Sequence, residues 1–376
     1  MCRSGTALSL SLSLSLSLCV CVCVCVCVCY SISKSKVCTY QGDTVYNTLK
    51  DMKEPKSYTR QVFASSIVAM SARRVAAAMV QMTSVNDTGM NFASCASFVR
   101  EAARKGCKMI FFPENFSFMG AAPGEAQRIA SKLDGPVMGQ YLDLARESGV
   151  WLSLGGFQER VDGDERIYNT HVIVDASGQV RATYRKIHLF DVPMTGLVES
   201  KQALAGSELV TALSPVGTLG VSICYDMRFP ELYQKLTFLH GAQVLLMPSA
   251  FAVKTGAAHW ETVLRCRAIE TQCYVVAAAQ CGQHNTHGNK RCSWGHAVVF
   301  DPWGQCVASL DDPDVPGLAT FEIDLDLVEE TRANMPIHAH RRYDVYGDGP
   351  HAVPLDEERA RERDAENARL DGMGFG

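Results

Sequence analysis

Three side chains in this sequence have the types and settings for nucleophilic hydrolysis. Glu114 follows the apolar run at 109–112, Lys186 follows the strand-like stretch 180–184, and Cys224 closes the apolar run 221–223. Each stands where a buried strand gives out, and open α/β folds assemble sites at the carboxyl ends of their strands. A thiol placed there is fixed by the sheet and faces the donors of a following helix. If the three meet, Lys186 stabilises a thiolate on Cys224, Glu114 takes up its proton, and sulfur attacks an amide or nitrile carbon. The Lys186 ammonium and the Tyr225 backbone N–H then face the oxyanion. Glu114 returns the proton to departing ammonia, and water activated by the same carboxylate hydrolyses the thioester. Taken singly, a buried structural cysteine, a loop acid and a surface lysine are the plain alternatives. Cys–His chemistry is the internal rival, with His188 and His259 nearest among ten histidines.

The elements that must position these residues alternate between strand and helix. Strands are expected at 75–82, 109–112, 150–157, 216–223, 243–247, 273–279 and 318–323, with hairpins at 169–184 and 297–310. Helices are expected at 90–104, 228–240, 258–270 and 325–334, and a helix broken near Gly135-Pro136 between Glu125 and Ser148. In the 258–270 helix, Trp260, Leu264 and Ile269 are expected to face the core. Residues 190–214 read as a long loop, a wall or lid for a site, with Glu199 inside it. Residues 280–293 read as a second, polar rim loop. The pattern is that of a layered α/β fold. No Gly-x-Gly-x-x-Gly follows the first strand, and there is no Walker A motif and no Gly-x-Ser-x-Gly elbow, so no cofactor is expected.

The 376 residues are 47% hydrophobic and 20% charged with a formal charge of −4, enough for a substantial core. No basic stripe appears, which argues against a nucleic-acid partner. Residues 8–18 alternate Leu with Ser and 19–29 alternate Cys with Val. A translated CT repeat yields only Leu and Ser, and a GT repeat only Cys and Val. The alternation has a strand period and the serines dilute apolar density, so neither a signal peptide nor a membrane helix is expected. Residues 1–69 are therefore expected to be a low-complexity tail and linker outside the mature protein, with Met70 or Met52 as its start. Residues 74–347 are expected to form the hydrolase domain, and 348–376 a charged, disordered tail. The first 69 residues carry seven basic and three acidic side chains, which leaves −8 on the rest. Eight of the 16 cysteines fall at or before Cys38, and the others show no Cys-x-x-Cys pair or zinc spacing, so no metal is expected. Reduced thiols in the cytoplasm, or in an organellar form, are the expectation.

Three segments, in order, carry a resemblance: Phe111-Phe112-Pro113-Glu114-Asn115, Tyr184–Asp191 (YRKIHLFD) and Cys224–Leu232 (CYDMRFPEL). Over about 74–347 the sequence resembles the nitrilase, or carbon–nitrogen hydrolase, superfamily. The resemblance implies a four-layer α-β-β-α sandwich and a homodimer formed through the helical face that holds the post-cysteine helix. It implies Glu114 as base, Lys186 as oxyanion stabiliser, Cys224 as nucleophile and Glu199 as a second, structural glutamate. Arg267–Gly282, Gly295–Gly304 and His340–Gly347 are similar to the branch that cleaves deaminated glutathione to 2-oxoglutarate and cysteinylglycine. His188, Arg228 and Trp294 are the substrate-pocket candidates, and Trp294 either narrows the pocket or packs behind it. The same triad serves ω-amidases acting on 2-oxoglutaramate, N-carbamyl amino acid hydrolases and true nitrilases. A non-enzymatic α/β scaffold requires that the three motifs not converge.

Overall fold

Alternate residues of the first strand enter different cores, and this accounts for the layering. The computed structural model describes residues 74–193 and 197–346; the expectations for 1–69 and 348–376 lie outside the described residues. The first half of the chain forms β1 (Arg74–Met82), α1 (Thr88–Arg104), β2 (Met109–Phe112), α2 (Glu125–Ile129), α3 (Pro136–Ser148), β3 (Trp151–Arg160), β4 (Ile167–Val174) and β5 (Val180–Arg185). The short β6 (Asp191–Val192), β7 (Leu197–Val198) and β8 (Ala203–Leu204) follow, then β9 (Thr211–Ser214), β10 (Gly217–Val221), α4 (Pro230–Phe238), β11 (Val244–Leu246) and α5 (Val253–Thr271). The chain continues through β12 (Tyr274–Ala277), β13 (Ala279–Gln283), β14 (Cys292–Trp294), β15 (Val298–Phe300), β16 (Cys306–Ser309), β17 (Gly317–Asp324), α6 (Leu325–Asn334) and α7 (Tyr343–Tyr346).

One sheet runs β14-β13-β1-β2-β3-β4-β5, with β17 antiparallel to β1 and β8 beside β4; the other runs β16-β15-β12-β11-β10-β9. Side chains alternate along a strand. Ala77 and Met79 of β1 therefore enter one core with Leu219, Val221 and Val244 of the second sheet, while Ala78, Val80 and Met82 enter another with Val99 of α1 and Tyr141 of α3. Helices α4 and α5 lie on the second sheet, contributing Leu236, Trp260 and Leu264. The result is an α-β-β-α sandwich. Among the described residues no helix is long and apolar enough to cross a membrane.

Several expected boundaries shift for local reasons. The strand before Cys224 stops at Val221, because the Asp226 carboxylate takes the Ile223 N–H at 2.9 Å and bends the chain. Cys224–Arg228 is a 3-10 turn, and α4 starts only at Pro230, whose missing N–H suits a first helical position. Helix α5 begins at Val253, five residues before the expected 258. Its Ile269 is 45% exposed rather than in the core, and it lies over Gly304. The 190–214 stretch is not one loop but holds β6 to β9, and the ends of the 280–293 loop pair as β13 and β14.

Strand β3 carries the feature that matters most for the site. Its pairing with β4 slips between Leu154 and Phe157. A Cβ on Gly155 would lie 2.3 Å from the Pro248 Cβ. Gly156 has φ +81, and a Cβ there would lie 2.9 Å from both the Glu114 Cγ and the Asn115 N. Only the two glycines let the segments after β2 and β11 close on the bulge. Gly156→Ala should therefore lose about 2–4 kcal/mol in urea unfolding, from left-handed strain plus overpacking. Wild-type stability in that variant would contradict this account.

Candidate active site

The ends of β2, β5 and β10 meet at one rim. Glu114 leaves β2 through Pro113 and is buried. The next residue, Asn115, has φ +61, and its N–H donates to Gly156 O at 3.1 Å, so the bulge fixes the turn. Lys186 follows β5, with its backbone N–H on Asn169 O at 2.9 Å and its carbonyl accepting from the Gly206 N–H at 2.8 Å. Its Nζ lies 3.2 Å from Glu114 Oε1, and 3.1 and 2.9 Å from the two carboxylate oxygens of Glu199. Glu199 Oε2 also accepts from the Phe190 N–H at 2.7 Å. Asn169 Nδ2 donates to Glu114 Oε1 at 2.9 Å, and the Ala250 N–H to Glu114 Oε2 at 2.9 Å. Every oxygen of Glu114 is thus held.

Cys224 sits opposite. Its φ of +49 is rare for a residue with a side chain, and its N–H is anchored on Pro248 O at 2.9 Å. The thiol lies within electrostatic reach of the Glu114 carboxylate and the Lys186 ammonium. Burial alone would raise Glu114, but the Lys186 ammonium, the thiol, Arg291 and Asn169 outweigh it and hold the carboxyl below its ordinary range. Burial alone would lower Lys186, but Glu114 and Glu199 outweigh it and push the ammonium well up. Burial and then the Glu114 carboxylate push the Cys224 thiol up, against a weaker pull from Lys186. The expected thiolate is therefore corrected. The lysine charge is already shared by two carboxylates, which favours the protonated thiol near an ionised base.

Asp226 is the anchor the sequence reading passed over. It is fully buried and accepts four hydrogen bonds: Ile223 N–H at 2.9 Å, Tyr184 O–H at 2.7 Å, His188 N–H at 3.0 Å and His188 Nδ1 at 2.7 Å. It ties the cysteine turn to the chain that delivers Lys186. Asn169, Ala250 and Arg291 were also missed. Asn169 opens a polar run, Asn169-Thr170-His171, inside a strand whose other residues are apolar or aromatic, a visible signal; a backbone N–H and a rim arginine leave none.

The other named residues fall in distinct places. His188 is held by Asp226 and stacks on Phe229 at 3.7 Å, and His259 Nδ1 faces Arg228 at 3.3 Å, so neither histidine is bonded to Cys224. The Tyr225 N–H donates to no protein acceptor among the described residues, as the start of a helical turn allows. Its ring meets Phe190 and Phe229 edge-on at 4.9 and 5.5 Å, forming an aromatic wall. Arg228 lies 5.5 Å from the Phe251 ring and pairs with no carboxylate among the described residues. Trp294 packs against Gly256 of α5 and stacks on His296 at 4.2 Å; it is not brought to the three residues. Among the described residues no group of three His, Cys, Asp or Glu side chains is placed to hold a metal ion.

This constellation of buried thiol, ionised base and cation suits attack on a polarised carbonyl followed by proton return to a leaving nitrogen. The family described as carbon-nitrogen hydrolase matches residues 76–333. The deaminated glutathione amidase of Bos taurus is 48% identical over 283 residues, covering 73% of this chain and 84% of that protein. Its Homo sapiens namesake is 46% identical over 297 residues, covering 77% of this chain and 89% of its own. The crystal structure of the C. elegans NitFhit protein aligns with a TM-score of 0.68 at 46% identity, covering 73% of this chain and 66% of that one.

The thiol assignment is open to direct titration. Ultraviolet thiolate absorbance, taken as wild type minus Cys224→Ala, should show no step as pH rises to the ordinary thiol value of 9.0, because the raised group holds its proton throughout. A step near pH ~7, as for an activated thiolate, would contradict it.

Proposed function

The chain belongs to the carbon–nitrogen hydrolase family, and within it we propose an amidase that cleaves deaminated glutathione to 2-oxoglutarate and cysteinylglycine. The observation that carries the chemistry is Lys186, buried between Glu114 and Glu199 beside the Cys224 thiol. The substrate rests on the two relatives named deaminated glutathione amidase, which match over about three-quarters of the chain.

In this reading Cys224 attacks the amide carbonyl as its proton passes to Glu114. A C–S bond forms, and the oxyanion faces Lys186 Nζ and the Tyr225 N–H. Collapse breaks the C–N bond, and Glu114 hands its proton to the leaving nitrogen. For this substrate the leaving group is the amine of cysteinylglycine; ammonia departs only from a primary amide such as 2-oxoglutaramate. Water then attacks the thioester with Glu114 again as base, and 2-oxoglutarate leaves. Glu199 keeps Lys186 in place and charged. Arg228, four residues after the nucleophile and without an acidic partner among the described residues, offers a guanidinium to the carboxylate of the 2-oxo acid half. His188 and the aromatic wall shape the same side.

We further propose a homodimer through the face holding α4; exposed Val253 and Ile269 on the neighbouring α5 support it. A reducing, cytoplasmic compartment suits the eight free cysteines among the described residues.

The test is a substrate comparison on the purified chain. Deaminated glutathione, 2-oxoglutaramate and N-carbamyl-β-alanine are offered in parallel, with release of the 2-oxo acid or amine followed. The kcat/KM for deaminated glutathione should exceed the others by at least about tenfold, one well-placed polar contact's worth. Folded Cys224→Ala should be inactive on all three. A preference for either other substrate would replace the substrate, and turnover by Cys224→Ala would replace the mechanism.

A further inference from the structure

The rim loop between β13 and β14 brings a second guanidinium to the side of the reacting carboxylate. Arg291 is half-buried, and its Nη2 donates to Ala250 O at 2.7 Å. The N–H of the same Ala250 donates to Glu114 Oε2 at 2.9 Å. Two hydrogen bonds and one residue thus separate guanidinium from carboxylate, a span of at most roughly 9 Å. No carboxylate pairs with Arg291 among the described residues, and Ala250 O occupies one of its five donors.

The loop is built to hold that position. His284 is buried, with Nδ1 2.9 Å from Ser84 O and Nε2 2.7 Å from Ser293 Oγ. Its N–H donates to Arg291 O at 3.0 Å, so the two ends of the loop are tied. At the tip, the Asn289 N–H donates to Ala121 O at 2.6 Å. Gly288, with φ +69, lies so close that a Cβ would stand 2.5 Å from the same carbonyl.

We infer that Arg291 is a specificity-determining residue that receives the carboxylate of the departing peptide. The inference rests on the proposed substrate. The leaving nitrogen must come within hydrogen-bond reach of Glu114, which protonates it. The leaving half therefore extends along the Ala250 side, where Arg291 stands. In cysteinylglycine the terminal carboxylate lies about 6 Å from the amine nitrogen when extended, so with one hydrogen bond at each end it reaches up to about 12 Å and spans the gap from Glu114 to the guanidinium without full extension. The planar fork of arginine suits a carboxylate in two-point contact. A primary amide such as 2-oxoglutaramate releases ammonia and gains nothing from this contact. Arg291 thus favours peptide amides, while Arg228 serves the acyl half shared by both substrates.

The test crosses protein and substrate changes in the full chain. Arg291→Gln should lower kcat/KM for deaminated glutathione about 10- to 100-fold more than for 2-oxoglutaramate, chiefly through KM, the loss on 2-oxoglutaramate being the share that Arg291 exerts through Glu114. Wild type should lose a similar factor on the analogue whose glycine carboxylate is a carboxamide, and Arg291→Gln should lose nothing further on it. Arg291→Lys should recover part of the loss. If Arg291→Gln does not fold, the wild-type comparison of acid and carboxamide still decides. Equal losses on deaminated glutathione and 2-oxoglutaramate, or indifference of wild type to the carboxamide, overturn the assignment of Arg291 alone. A wild type that turns over 2-oxoglutaramate but not deaminated glutathione overturns the proposed substrate, and Arg291's role with it.

Discussion

The structure depends on one ammonium held out of water between two carboxylates. Lys186 is 3% exposed, Glu114 5% and Glu199 22%. Removing such charges from water costs several kcal/mol each, and only close, multiply hydrogen-bonded pairing offsets it. The three charges sum to −1. Ionising the thiol as well would place a second uncompensated negative charge in the same dry space, which is why sulfur keeps its proton. Moving that proton from Cys224 to Glu114 during attack leaves the sum at −1. The lysine then faces the charge on sulfur and next the oxyanion, so the site reacts without a change in net charge. A lysine serves here better than a histidine, because its ammonium remains charged throughout.

Holding this arrangement requires backbone the chain would not otherwise adopt. Cys224 and Asn115 both have positive φ, each at a cost of about 1–2 kcal/mol. Both are fixed by hydrogen bonds to segments from elsewhere: Pro248 for Cys224 and Gly156 for Asn115. Asp226 joins the nucleophile's turn to His188 and Tyr184, and so to the strand that supplies Lys186. The Gly155-Gly156 bulge lets the segments converge. Cost at these points is offset in the two apolar cores, where β1 contributes to both faces.

Much of the layering was legible because buried strands and amphipathic helices announce themselves by period. The runs at 75–82 and 109–112, and the three residues at strand ends, could be read directly. What escaped was of another kind. The turn at Cys224 depends on Asp226 capturing the N–H of Ile223, the residue just before the nucleophile, and no period reports that. The two-residue strands β6, β7 and β8 within 190–214 exist only because β4 and each other are there to pair with. Trp294 looked like a pocket residue by its neighbours in sequence, yet Gly256 of α5 offers its ring a flat surface elsewhere. The thiolate expectation failed for a quantitative reason: one lysine was counted for sulfur when two carboxylates already share it.

The central claim is that Lys186 is the cation that compensates both carboxylates, Glu114 and Glu199, in the site. Urea unfolding at neutral pH of Lys186→Met, Glu199→Gln and the double variant tests it most directly. Lys186→Met should lose about 3–5 kcal/mol, since it strands two buried carboxylates. The double variant should be more stable than the sum of the single losses by at least about 1 kcal/mol, since one stranded charge is then gone. A Lys186→Met protein within about 1 kcal/mol of wild type, or strict additivity in the double variant, would contradict it.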